Sequence, residues 1–190
     1  MITEGEFQTA VAETVGSFLE ARGFRSAGGE GYGARFAADE VVFSVDLDAG
    51  RSWQLEVSAR MSRDSEPSLA LSDLLRAAGA KEEQILPLRL VQVTERETLV
   101  RELLSATAAL DGHLRPALAG DAAFFENARR IRSDHAAAYT ARVVDRSRIA
   151  EADEAWTAKD YDRVNDILDP VRERLDETHA RRLAYAKRKL

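Results

Sequence analysis

Cysteine is absent from the 190 residues. That excludes disulfides, thiolate metal sites and a cysteine nucleophile, and it fits a reducing cytoplasm, which is the expected location. No apolar run approaches the ~20 residues that a membrane helix needs, so no membrane partner is expected. Met1 to Phe18 carries acids rather than basic residues ahead of its apolar positions, the reverse of a signal peptide. Histidine is scarce. His113, His135 and His179 have no second ligand at metal-binding spacing, and a His-Glu-x-x-His frame is missing. The serines, Ser44, Ser58 and Ser72 among them, lack the glycine elbow of a serine nucleophile. No cofactor, metal centre or catalytic residue is assigned on this reading.

What the chain does have is acid at one end. Residues 1–93 hold nine Lys+Arg against fifteen Asp+Glu, and residues 94–190 hold eighteen of each, so the net charge of -6 resides in the first half. An acidic protein is a poor match for nucleic acid. Arg outnumbers Lys 23 to 4, as high-GC coding would give. The length suits one compact domain, or one with a helical annex, able to bury roughly 70% of its unfolded surface.

The clearest local pattern runs from Val41 to Met61. Odd positions other than Arg51 are apolar and even ones mostly polar, a period of two that predicts a half-buried antiparallel hairpin. Parity requires odd to face odd. A three-residue loop, Ala49-Gly50-Arg51, meets this by pairing Leu47 with Trp53, Val45 with Leu55 and Phe43 with Val57. It also places Glu40 opposite Arg60. Tyr32, Ala34 and Phe36 form a preceding strand, with Phe36 expected opposite Val41. The meander thus has one apolar face.

A helix over 4–22 is predicted ahead of the sheet, with a Thr3–Glu6 capping box, apolar residues from Phe7 to Leu19, and Gly23 at its end. The glycine-rich run Ala27 to Gly33 joins helix to strand, the wrong order for a phosphate cradle, so it reads as a turn. Ser68 or Ser72 caps a short helix. Ile85 to Val93 is expected as a fourth strand that Pro87 confines to an edge or demotes to an extended segment. A second capping box, Thr94–Glu97, opens a helical half. Its first stripe is Leu99, Leu103, Ala106, Leu110 and Leu114. The next is Phe124, Ala128, Ile131, His135 and Tyr139. A further helix ends at Trp156, another opens at Asp160-Tyr161, and Asp176 caps the last. The fold class is therefore α+β, a three- to four-stranded antiparallel meander packed on helices, with residues 1–93 carrying the sheet and 94–190 helical.

Ala152, Ala155-Trp156, Asp160-Tyr161, Val164 and Ile167-Leu168 together resemble one tetratricopeptide-repeat helical hairpin over residues 148–169. Lys159 stands where that family has Gly, and Val164 where it has Ala. No repeat precedes it, so an isolated hairpin is implied rather than a solenoid. The layout as a whole, with Gly23-Phe24 after a capped helix, a meander, and the Ala-Trp and Asp-Tyr step, is similar to uncharacterised small actinobacterial proteins, some placed among immunity-protein families. That resemblance implies a binding protein.

Asp46 and Asp48 share the outer sheet face, with Glu56 diagonal to Asp46 and Arg60 nearby. Three carboxylates on one face can hold a divalent cation or act as an acid/base pair, but a solvated contact surface is the expected reading. The basic clusters Arg129-Arg130-x-Arg132, Arg181-Arg182 and Lys187-Arg188-Lys189 lie among acids and read as solvated helix faces. The leading expectation is a non-enzymatic cytoplasmic protein, an immunity protein or inhibitor, that uses Asp46, Asp48, Glu56 and Arg60 against a basic protein partner. A metal-dependent enzyme on the same carboxylates and a helical scaffold are the alternatives.

Overall fold

A computed structural model describes residues 1–89 and 91–190. Leu90, which falls inside the predicted fourth strand, lies outside the described residues. The chain forms two compact units, Met1–Arg132 and Ser133–Leu190.

The first unit opens with helix α1 (Glu4–Val11), a π turn (Ala12–Gly16) and α2 (Ser17–Glu20). Thr3 and Glu6 make the reciprocal capping box that the sequence predicts. The helix ends at Gly23, whose φ of 89° lets the Phe24 amide reach back to the Leu19 carbonyl.

Among the described residues six strands follow: β1 (Arg25–Ser26), β2 (Gly33–Ala37), β3 (Val41–Leu47), β4 (Gln54–Met61), β5 (Leu69–Ala70) and β6 (Val91–Gln92). All pair antiparallel in the order β1-β2-β3-β4-β5, with β6 also on β4. The sheet thus has two more strands than the expected maximum of four. The additions are two-residue stubs too short to show periodicity.

Parity in the hairpins is as expected, but both registers slide by two residues. Phe36 faces Phe43 rather than Val41, because Ala38 closes on Val41 and leaves only Asp39-Glu40 in the turn. Leu47 faces Leu55 rather than Trp53, and Val45 faces Val57. This second loop is longer because Asp48 organises it. The Asp48 carbonyl accepts from the Ser52 and Trp53 amides, and its carboxylate accepts from the Ser52 hydroxyl at 2.6 Å. Trp53 takes a φ of 54°, which costs a bulky residue about 1–2 kcal/mol. Its ring packs edge-on to Tyr32 at 6.2 Å. Arg60 faces Val42, while Glu40 pairs with Arg63 at 3.3 Å.

Other local expectations change for similar reasons. Helix α3 (Leu71–Ala77) begins at Ala70 with no side-chain cap. The strand predicted over 85–93 pairs at Val91–Gln92 as β6, while its start is helical: Glu82–Ile85 form α4 and Leu86–Leu88 a 3-10 turn, because Pro87 fits the first turn of a helix. Helix α5 (Arg96–His113) has no capping box, since its N-cap is Glu95. Its residues Leu99, Leu103, Ala106 and Leu110 enter the same core as Phe7, Val11, Val15 and Leu19 of the first helix and Phe43, Val45 and Val57 of the sheet. Each such side chain contributes about 1.5–3 kcal/mol by leaving water. The first unit therefore continues past residue 93 through α5, α6 (Arg115–Leu118) and the start of α7 (Ala122–Thr157), where Phe125 and Ala128 are buried.

The two helices predicted between Asp121 and Trp156 are one, and Tyr139 is exposed on it rather than core-facing. The second unit has its own small core of Ala152, Ala155, Val164, Leu168, Leu183 and Ala186. It joins α7 to α8 (Tyr161–Leu168), a 3-10 turn (Asp169–Arg174) and α9 (Glu177–Lys187). Asp160 and Asp176 cap α8 and α9 as predicted.

Candidate functional site

The hairpin register decides which carboxylates meet. The Asp48 amide donates to the Gln54 carbonyl, so the alternation of an antiparallel ladder makes Asp46 and Glu56 a hydrogen-bonded pair as well. The two acids face each other directly on the outer sheet surface, with backbones about 5.5 Å apart. Like charges so placed cost stability. On its other side Asp46 lies beside Gly33, where an added Cβ would sit 3.0 Å from the carboxylate. Asp46 is exposed at its rim, yet partial withdrawal from water pushes its carboxyl above the usual range, and Arg35 pulls it part of the way back.

Asp48 lines the same pocket as Asp46 but is engaged differently. Its carboxylate is engaged by the Ser52 hydroxyl and by Arg51 Nε at 3.1 Å, and these contacts hold it below the usual carboxylate range. It is a loop organiser. Arg60 is also spent, since its guanidinium donates to the Met61 and Asp64 carbonyls at 3.3 Å. Of the four residues predicted for the contact surface, Asp46 and Glu56 come together, while Asp48 and Arg60 brace loops.

Beside this pair the edge of β4 is interrupted. β5 pairs at Ser58 and Ala59, β6 pairs at Gln54 and Leu55, and Glu56 and Val57 lie in the gap. A pocket of about 380 Å³ opens there. Its walls are aliphatic: Leu55 and Val57 of β4, Leu71 of α3, Leu88, Val91, and Ala106 of α5. Its charged lining is Asp46, Asp48, Glu56 and Glu102 against Arg51 and Arg89, four acids to two bases. Glu102 is nearly buried and bonded to Arg101 at 2.9 Å. Sequence periodicity could not show this pocket, because it depends on two strand stubs and on residues distant in the chain.

Among the described residues, no group of three or more His, Asp or Glu side chains is arranged to hold a metal ion. The glycine-rich run is anchored by its carbonyls. Gln8 Nε2 donates to the carbonyls of Gly31 and Gly33 at 2.8 and 2.9 Å, which ties the loop to α1.

The basic clusters are also occupied, mostly through partners distant in sequence. Arg129 pairs with Asp64 and with Glu66, and Arg132 donates to the Ser68 carbonyl. In the second unit Arg181 pairs with Glu177, Arg182 with Asp153, and Lys187 with Asp169. Charges so spent make a weak phosphate footprint.

His179 is a feature that sequence reasoning missed. It is buried, with Nδ1 2.8 Å from Asp176 and Nε2 3.2 Å from Asp153, and so links α9 to α7. Trp156, Tyr161 and Tyr185 pack edge to face at 5.5–5.7 Å. Rings that close touch one another and leave no room for a ligand between them; Trp156 and Tyr161 pack against the small core, and Tyr185 lies over them from an exposed position.

No family model, curated protein or solved structure matches this chain.

Proposed function

We propose that this chain is a non-catalytic binding protein that presents the outer face of the β3–β4 hairpin to a basic protein. The observation that carries the reading is the direct opposition of Asp46 and Glu56 in the lining of an otherwise aliphatic pocket. Two like charges kept opposite one another weaken the fold, and an approaching cation turns that cost into attraction. Neither carboxylate has a hydrogen bond or ion pair from a side chain among the described residues; Arg35 acts on Asp46 only through its field. Acidic potential over the first unit would steer a basic partner and raise its association rate. Inhibition of a basic toxin, the task of an immunity protein, is one form this function would take.

The test is capture of partners from the source cell by the wild type and by Asp46→Asn/Glu56→Gln, each at low and high salt. The expected result is a basic protein held by the wild type at low salt, released by salt and lost in the double variant. Equal recovery by both chains would overturn the reading. Calorimetry with Mg²⁺, Mn²⁺ and Ca²⁺ tests the metal-enzyme alternative, and heat that disappears in Asp46→Asn would favour it instead.

A further inference from the structure

We infer that the pocket beside Glu56 and Val57 is a seat for one arginine side chain of the partner protein, inserted end-on between β5 and β6. The inference rests on the binding role proposed above and names what enters the site.

Three features select arginine. The first is shape. The gap in the ladder spans two residues of β4, too little for a strand to be added but enough for a single side chain. The second is the wall. Val57, Leu71, Leu88 and Ala106 offer aliphatic contact to the methylene stem. A guanidinium is more weakly hydrated than an ammonium, so it enters such a site more readily. The third is charge. Asp46 and Glu56 are neighbours across the ladder, and a planar fork with five N–H donors can serve two carboxylates at once, as a lysine point charge cannot. The remaining acids of the lining are already committed, Asp48 to Arg51 and Glu102 to Arg101.

Arg89 is the native competitor. It lines the same pocket, is exposed, and has no ion pair among the described residues. Its charge opposes the entry of a second cation, so removing it should strengthen binding. An acidic surface patch without a seat gives no reason for that effect to be confined to the pocket.

The experiment is a titration of the full chain with N-acetyl-arginine methylamide, followed by amide NMR shifts, with the lysine and citrulline analogues in parallel. The expected result is saturable shifts at Glu56, Val57, Leu71 and Ala106. The citrulline analogue should bind about tenfold weaker or worse, because the charge-assisted hydrogen bonds are lost. Arg89→Ala should bind the arginine probe severalfold tighter. Ala70→Leu, which narrows the rim opposite Ser58, should abolish the shifts while leaving the rest of the spectrum in place.

Equal binding of the arginine and citrulline probes, shifts scattered over other acids, or shifts that persist in Ala70→Leu would each overturn the seat. The two proposals fail separately. Partner capture that survives Ala70→Leu but is lost in Asp46→Asn/Glu56→Gln keeps the binding face and refutes the pocket. Capture indifferent to both variants refutes the face itself.

Discussion

Asp46→Asn should make the protein more stable at neutral pH, a direction opposite to the usual effect of a substitution. Partial withdrawal from water disfavours the charged carboxyl, and Arg35 offsets part of that. Like charges directly opposite on a ladder are also destabilising, and cross-strand pairs act on a scale of about 0.2–1 kcal/mol, so a gain of about 0.5 kcal/mol is expected at low salt. The sign in pH follows from linkage. The folded Asp46 carboxyl lies above its ordinary value, so the folded state holds that proton more firmly than the unfolded chain. Its favourable contribution is complete below the unfolded pKa of about 3.9 and is lost as pH rises through the folded value. At neutral pH the ionised side chain is a net cost, and asparagine, a mimic of the protonated form, removes it.

The assay is urea unfolding read by Trp53 in a Trp156→Phe background, which isolates the sheet unit because the chain's two tryptophans lie one in each unit. The midpoint should rise at neutral pH and low salt, rise less at high salt, and not differ between variants at a pH below the carboxylate range. A lower midpoint at neutral pH would show that Asp46 is bonded into the fold, and the argument for a reserved binding charge would collapse.

Phe43→Ala removes a fully buried ring that packs edge-on to Phe24 at 5.5 Å, and should cost about 3–5 kcal/mol in the same Trp53 assay; a loss under 1 kcal/mol would contradict its central place. Lys159 takes a φ of 60° at the end of α7, where the Asp160 amide bonds the Ala155 carbonyl and the Lys159 amide bonds that of Trp156. Glycine adopts this conformation freely, so Lys159→Gly should stabilise the second unit by about 0.5–1 kcal/mol, read by Trp156 in Trp53→Phe; destabilisation would refute the strain. Asp145, Asp169 and Asp176 are held below the ordinary carboxylate range by hydrogen bonds from Arg174, Lys187 and His179. Their contribution is present above the unfolded pKa and lost as pH falls through the folded values, so the Trp156 midpoint should fall in acid and a flat profile would rule this out.

The parts of this fold that were legible are those that repeat. Alternation from Val41 to Met61 marked the two long strands and their buried face, and 3.6-residue spacing marked α5. Register was not legible, because parity is satisfied equally by pairings two residues apart. The choice between them was made by the short turn at Asp39-Glu40 and by the hydrogen bonds of Asp48 and the unusual backbone of Trp53. The same slide of two residues moved Glu56 from a diagonal to a direct neighbour of Asp46, and the loop that it lengthened ties the Asp48 carboxylate to Ser52 and Arg51. The pocket was invisible because β5 and β6 are two residues each and meet β4 from distant points of the chain.

Those two stubs, together with β1, also govern how the protein behaves in company. Val41–Leu47 is the stretch most prone to form cross-β aggregates, being β-branched, aromatic and nearly uncharged. It occupies the middle of the sheet, with β2 and β4 on either side. Both outer edges of the sheet are closed by strands of two residues, with Arg25 on one and Gln92 on the other. Another chain finds no long, flat template to extend. The hairpin that defines the fold is thereby kept from seeding fibrils, and the protection should fail first where β4 loses its stubs.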